Sequence, residues 1–182
     1  MTQFDKKCLI EVMLYILNAT KGTDIYHVLK ILYFAEKKHL AKWGSRITAD
    51  DFRAYEYGPV ANQLYHAIKN SRKLDQELPD MLQQVTHFAG EDAPNVLLAN
   101  RKADMDYLSK SEIECLDEAI GDNVNLTFDQ LKQKSHDAAW QEAYQSSDDD
   151  RMTTVSIAKA AGANEAMLEY IIDQLEIDKA LA

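Results

Sequence analysis

Apolar residues recur at helical spacing over most of this chain, and the pattern predicts a mainly α fold. From residue 5 to residue 18, apolar pairs follow one another every four positions, as in a well-buried helix. The same spacing returns in a last helix that begins near Asn164. Only 6 Gly and 3 Pro interrupt the 182 residues, so long disordered segments are not expected. We therefore predict one compact multi-helix domain over residues 1–182, with a small β-hairpin or short extended segments.

Residues that favour helix ends mark the other helices. Thr23 or Asp24 can cap a second helix, and Gly44 occupies the position of a C-terminal helix glycine. The predicted apolar face of this helix includes Trp43. Two capping boxes, in which a hydroxyl residue precedes Glu or Gln by three positions, begin later helices. They are Ser109 with Glu112 and Thr127 with Gln130, and Gly121 can close the first of these helices.

The helical period fails between Ile47 and Tyr57. Aromatic and β-branched residues there predict a short extended segment or a single turn of helix. Gly58 and Pro59 then predict the start of a helix, because proline at the first helical position loses no hydrogen bond that the helix needs.

A polar turn near residue 101 has apolar residues on both sides. Residues 96–98 and 104–108 therefore predict a small β-hairpin. The preceding segment, 71–95, is the least regular part of the chain, and we expect it to be a variable loop or insertion.

The charge and cysteine content limit the class of protein. A net charge of −10 repels phosphate backbones, so nucleic acid is not an expected partner. Cys8 and Cys115 form no CxxC pair, and no secretory signal precedes them, which predicts a reduced, cytoplasmic protein. The longest apolar run, 12–17, is too short to cross a bilayer.

The sequence contains no recognisable reaction centre. None of the five histidines has the spacing of a zinc site, and the glycine motifs of nucleotide-binding and hydrolase folds are absent. Ser135, His136 and Asp137 are adjacent, which suits a turn and a helix cap better than a catalytic triad. The acids at 50–51 and Glu56 are interpreted as helix-start and surface charges. We expect no enzymatic activity, no cofactor and no metal.

The tyrosines between residues 33 and 65 point to an interaction surface. Tyrosine is enriched at interfaces, where an apolar body and a polar tip are both useful. We expect at least half of this aromatic set to pack inside and Tyr55 and Tyr57 to be exposed.

Several motifs, taken in order, resemble the Panacea domain of SocA-like antitoxins, which also occurs in phage-associated proteins. The resemblance covers residues 5–145, and the tail is similar to the closing helix of the family. The motifs are Lys30–Ala35, Ile47–Thr48, Phe52–Ala54, Tyr57–Val60 with Leu64–Tyr65, Leu108–Glu112, and Ser135–His136 with Trp140.

The resemblance implies a helical antitoxin that neutralises a toxin encoded beside it, by direct protein contact and without catalysis. It also implies a second mode, in which the antitoxin is an adaptor that delivers the toxin to a bacterial protease such as ClpXP. A winged-helix-like transcriptional regulator is a further alternative, although the acidity of the chain opposes it. The small apolar end, Ala180–Ala182, resembles protease recognition signals.

The family motifs divide into contact candidates and scaffold. The candidates for toxin contact are Tyr55, Tyr57, Gly58 and Pro59, although a structural role is favoured for Gly58 and Pro59. The expected scaffold residues are Lys30, Leu32, Tyr33, Phe34, Ala35, Phe52, Ala54, Val60, Leu64, Tyr65, Ser135, His136 and Trp140.

Overall fold

A computed structural model describes residues 1–147 and 149–181, and most of these residues are helical. The mainly α fold with short strands is confirmed. The helices within the described residues are α1 (Gln3–Thr20), α2 (Ile25–Trp43), α3 (Asn62–Ile68), α4 (Leu78–Val85), α5 (Lys110–Asn123), α6 (Phe128–Ser135), α7 (Ala138–Gln145), α8 (Thr154–Ala160) and α9 (Glu165–Leu181).

Two small antiparallel sheets lie among the helices. Their strands are β1 (Thr23–Asp24), β2 (Phe52–Tyr55), β3 (Gly58–Ala61), β4 (Thr86–Phe88), β5 (Val96–Ala99) and β6 (Arg151–Met152). One sheet has the strand order β1-β5-β4 and the other the order β3-β2-β6. The β2–β3 hairpin pairs Tyr55 with Gly58 and Ala54 with Pro59.

Helix α2 forms the centre of the core. Buried side chains lie on almost all sides of it, including Ile31, Leu32 and Tyr33, which are fully buried. A helix that is buried on almost all sides must be enclosed by other elements, and α2 packs against α1, α5, α8 and β3. Trp43 does not join this core, because the buried face ends at Leu40 and the tryptophan is 50% exposed.

The predicted helix ends are largely confirmed. Asp24 caps α2, where its side chain accepts a hydrogen bond from the His27 amide, and Gly44 closes the helix with a φ of 68°. Both capping boxes are present, at the starts of α5 and α6. Gly121 does not close α5, which continues to Asn123.

The prediction that Gly58 and Pro59 begin a helix is wrong. Both residues lie in β3, and the helix starts three residues after Pro59, at Asn62. Gly58 has a φ of 101°, which a right-handed helix cannot contain, and the pairing with β2 extends the strand to Ala61.

The predicted hairpin over 96–108 is also wrong. Strand β5 pairs with β4 and β1. The residues that come after β5 bond to side chains of α1 and do not pair back onto β5. Arg101 donates to both carboxylate oxygens of Glu11, at 2.6 and 2.8 Å, and the Ala103 amide donates to the Asn18 side chain. A short 3₁₀ turn, Met105–Tyr107, replaces the second strand that was predicted.

Segment 71–95 contains α4 and β4. The expectation that this segment is a variable loop or insertion stays a prediction.

A buried carboxylate fixes the loop after α2. Glu36 is fully buried and accepts hydrogen bonds from Arg46 Nε at 3.0 Å and from the amide of Ile47 at 3.1 Å. Burial raises the pKa of Glu36, although the guanidinium opposes that change. Asp50, at the end of the loop, caps α3 by accepting from the amides of Gln63 and Leu64. Burial raises the pKa of Asp50 to about 6, against those amide bonds. This loop therefore sets the position of α3.

Candidate partner-binding surface

The turn of the β2–β3 hairpin, residues 55–59, is held by side chains from two helices. Three of its carbonyls accept hydrogen bonds from donors far away in the sequence. The bonds are Trp140 Nε1 to the Tyr55 carbonyl at 2.9 Å, Tyr26 Oη to the Tyr57 carbonyl at 3.0 Å, and Lys30 Nζ to the Pro59 carbonyl at 2.7 Å. The donors lie on α2 and α7, so the hairpin turn is tied to both helices.

Lys30 is a fully buried lysine beneath the hairpin turn. Besides its bond to the Pro59 carbonyl, its ammonium nitrogen lies 4.7 Å from the centre of the Tyr26 ring, a cation–π contact. Burial lowers the pKa of Lys30 to about 7. The side chain that fixes Pro59 therefore changes charge near neutral pH.

Gly58 is packed directly against this lysine. A Cβ atom at position 58 would lie 2.5 Å from Ser135 Oγ and 3.0 Å from Lys30 Nζ. The φ of 101° adds a conformation that other residues adopt only with strain. Ser135 is itself fully buried and has little room to move. Gly58 therefore serves the packing of the site, as the scaffold interpretation expects.

We expect Gly58→Ala to lower the free energy of unfolding by about 2–3 kcal/mol, through backbone strain and the clash with Ser135. Urea unfolding followed by circular dichroism measures the change. Gly90 has a similar φ of 108° but open space around its Cβ position, so Gly90→Ala isolates the cost of the backbone conformation. Equal losses in the two variants would contradict the packing argument.

A stack of aromatic rings lies on the α7 side of the turn. The rings of His136 and Trp140 are 3.6 Å apart and nearly parallel, and Tyr144 stacks on Trp140 at 4.5 Å. Burial lowers the pKa of His136, and the nearby Lys132 adds to the effect. Its Nε2 is buried without a hydrogen-bond partner in the described part of the chain. The stack keeps the Trp140 indole in place to donate to the turn.

Three aromatic side chains, Tyr26, Tyr57 and Phe128, form a ridge on the surface above the turn. The Phe128 ring lies 4.4 Å from that of Tyr26 and 5.6 Å from that of Tyr57. Tyr57 is 50% exposed and Phe128 is 44% exposed. Lys132 lies 5.1 Å from the Tyr57 ring centre. This aromatic ridge is an exposed apolar surface. The hairpin turn that carries Tyr57 is held in place by the hydrogen bonds to its carbonyls.

A cleft of about 340 Å³ opens beside the aromatic ridge, between α2 and the hairpin. Tyr55 and Tyr65 line it, with their rings edge to face at 5.9 Å, and Tyr55 Oη donates to the Asn62 side chain. Lys69 and Asp24 bring charges of both signs to the same cleft. A mostly apolar cleft with a few polar groups suits the side chain of a binding partner.

The four predicted contact residues occupy different environments. Tyr57 is exposed, whereas Tyr55 is half-buried in the cleft. Gly58 and Pro59 are buried, so they position the turn and leave the outer surface to Tyr57. The predicted scaffold residues are all buried except Tyr65 and His136, which are half-buried.

Two members of the aromatic ridge were not among the predicted contact residues. Tyr26 and Phe128 lie 102 positions apart in the chain and meet only in the fold. Phe128 directly follows the capping residue Thr127. An aromatic side chain in the first, solvent-facing turn of a helix is the sequence signal that could have identified it as a contact residue.

The protease recognition signal predicted at the tail reaches Ala182, which lies outside the described residues.

Within residues 1–147 and 149–181, no group of three His, Cys, Asp or Glu side chains is placed to hold a metal ion. The helices in that part of the chain also include none that is long and apolar enough to cross a membrane.

Comparison with known proteins identifies a family for this chain. The family model described as "Antitoxin SocA-like, Panacea domain" matches residues 28–141. No curated protein and no solved structure matches the chain. The matched region begins just before Lys30 and ends just after Trp140, so it includes two of the three donors to the hairpin turn. It covers more than half of the 182 residues, and the chain belongs to the SocA-like antitoxin family with a Panacea domain.

Proposed function

We propose that this chain is an antitoxin that neutralises a protein toxin encoded beside it by direct binding, and that it acts as a binding protein and not as an enzyme. The family suggests the antitoxin role and a toxin partner. The observation that carries the choice of surface is the aromatic ridge, in which Tyr57 and Phe128 are about half exposed on a backbone fixed by buried donors.

Aromatic side chains of this kind supply much of the binding energy in protein interfaces. Their affinity is greater when the free protein already holds them in place, because less conformational entropy is lost on binding. The contacts of Tyr26 and Phe128 and the bond from Tyr26 Oη to the Tyr57 carbonyl provide that order before the toxin arrives. The adjacent cleft offers space for one apolar side chain of the toxin.

The net charge of −10 favours a toxin with a basic face. Glu56, at the tip of the hairpin, and Asp129, in the first turn of α6, are exposed beside the aromatic ridge. Charges at the rim of an interface act mainly on the association rate, so the rate should fall as salt is added.

The proposal predicts that the double variant Tyr57→Ala, Phe128→Ala binds the toxin at least about thirtyfold more weakly, since even one residue of a binding hot spot contributes about 2 kcal/mol or more. Calorimetry with the purified antitoxin and toxin measures the affinity. The same mixture tests inhibition of the toxin in the absence of any protease. Co-expression in growing cells should show loss of protection.

The matched control is Phe88→Ala. Phe88 is 41% exposed but lies on β4, in the other sheet. Its replacement should leave toxin affinity unchanged. Urea unfolding checks that all variants are folded. If the folded double variant binds and inhibits the toxin as the wild type does, the aromatic ridge is not the toxin site.

A further inference from the structure

His27 connects two of the three segments that carry the aromatic ridge. It lies in the first turn of α2, next to Tyr26. Its Nδ1 is 2.6 Å from Asp24 Oδ2, and its Nε2 is 2.8 Å from the carbonyl oxygen of Leu126. Leu126 lies two residues before Phe128, in the connection between α5 and α6. The histidine thus links the start of α2 to the segment that leads into α6.

The two acceptors determine the protonation state of this histidine. A backbone carbonyl has no hydrogen to donate, so the bond to Leu126 requires a proton on Nε2. Asp24 also accepts the His27 backbone amide through Oδ1, at 2.9 Å. Burial acts to raise the pKa of Asp24, but the bonds from His27 outweigh it and lower that pKa. An ionised Asp24 requires a second proton, on Nδ1, and only the imidazolium form carries both protons.

The surroundings favour that charge. The hydrogen bond to Asp24 raises the pKa of His27, against an opposing effect of burial. Segment 124–127, which supplies the carbonyl, contains no titratable side chain. On α6, Asp129 lies near Tyr26 and raises the pKa of that tyrosine, after the larger effect of burial. Asp24, just before α2, therefore stabilises a positive His27, and the bond to the Leu126 carbonyl acts in the same direction.

We propose that His27 is a positioning residue for toxin binding: as an imidazolium it holds the segment before α6 against the start of α2 and keeps Phe128 on Tyr26. This inference rests on the proposed function of the aromatic ridge. When the ring loses a proton, one of its two bonds must be lost. The bond to the neutral Leu126 carbonyl is the weaker one, because the other is accepted by the charged carboxylate of Asp24. The ridge should then loosen on the side of Phe128.

The sign of the pH dependence follows from the raised pKa of His27. Its contribution is fully present below the ordinary histidine value of 6.5 and is lost as the pH rises through the raised folded value. Toxin affinity should fall about fivefold from pH 6 to pH 9, the factor that one hydrogen bond of ordinary strength supplies.

Nitrogen NMR of the isolated chain tests the first step without any toxin. Both ring nitrogens of His27 should be protonated at pH 6.5 and should titrate above that value. The contact between the Tyr26 and Phe128 rings, seen as a nuclear Overhauser effect, should weaken in the same titration. His27→Gln should give a weak contact that does not change with pH. A neutral His27 ring at pH 6, or a ring contact unchanged through its titration, would overturn the proposal.

The toxin arm compares affinity at pH 6 and pH 9 for the wild type, His27→Gln and the control His87→Gln. His87 is exposed on β4, away from the aromatic ridge. The wild type and the control should lose affinity together, and His27→Gln should be weak at both values. A His27→Gln variant that keeps the wild-type dependence would refute the positioning role. Absence of toxin binding by the wild type at both values would instead refute the proposed function and, with it, the role of His27 in binding.

Discussion

Replacing Glu36 by alanine is expected to lower the free energy of unfolding by about 4 kcal/mol, the largest effect that we predict for a single substitution. The carboxylate is fully buried and accepts from Arg46 and from the amides of Ile47 and Thr48. Its removal leaves the Ile47 amide and the Nε group of Arg46 without their acceptor inside the protein. Leaving buried donors unpaired costs more than their hydrogen bonds contribute.

Urea unfolding of the wild type and variant at pH 7 measures this loss. Glu114→Ala is the matched control, because Glu114 also accepts from a cation, Lys42, at 3.1 Å but has a side chain that is 55% exposed. An exposed ion pair contributes at most about 1 kcal/mol. Similar losses for Glu36→Ala and Glu114→Ala would show that burial of Glu36 does not have the structural role inferred from its contacts.

Substituting Lys30 by methionine is expected to make the free energy of unfolding less dependent on pH. In the wild type, Lys30 should raise this free energy by about 2–3 kcal/mol between pH 7 and pH 9, and the variant should lack that rise. Burial lowers the pKa of Lys30 to about 7, from 10.5. Within that window the unfolded chain binds a proton that the folded chain lacks, so wild-type stability rises with pH. Methionine fills similar space but does not titrate, and its profile lacks this contribution.

The measurement is a series of urea unfolding curves at pH 7, 8 and 9, analysed as the difference between the wild type and Lys30→Met. Taking the difference removes the contributions of the other titrating groups. Lys69→Met is the control, because Lys69 lies in the same cleft but is exposed. The idea fails if the wild-type and Lys30→Met profiles run parallel across this range.

Local signals predicted much of the helical part of the fold. The capping box of Ser109 with Glu112 and the C-terminal position of Gly44 each depend on residues close in sequence, and both were confirmed. The prediction failed where a local signal is ambiguous. Gly58 followed by Pro59 suits a helix start, but the pairing of 52–55 with 58–61 determined the structure instead.

The candidate surface depends on contacts that no local pattern contains. Lys30 was recognised as a motif residue, yet its bond to the Pro59 carbonyl spans 29 positions, and that from Trp140 to Tyr55 spans 85. The sequence indicated that Tyr57 would be exposed. It did not place Phe128 beside Tyr57, because their proximity depends on how α6 packs against α2 and β3.

The hairpin turn is secured through its carbonyl groups, and every amino acid has a carbonyl group. The donors are Tyr26, Lys30 and Trp140, and the acceptors at positions 55, 57 and 59 belong to the main chain. The identities of the exposed side chains at positions 56 and 57 are therefore free to change without loss of these bonds. A single scaffold can in this way vary the side chains that its hairpin turn exposes, one residue at a time, while the position of the turn stays the same.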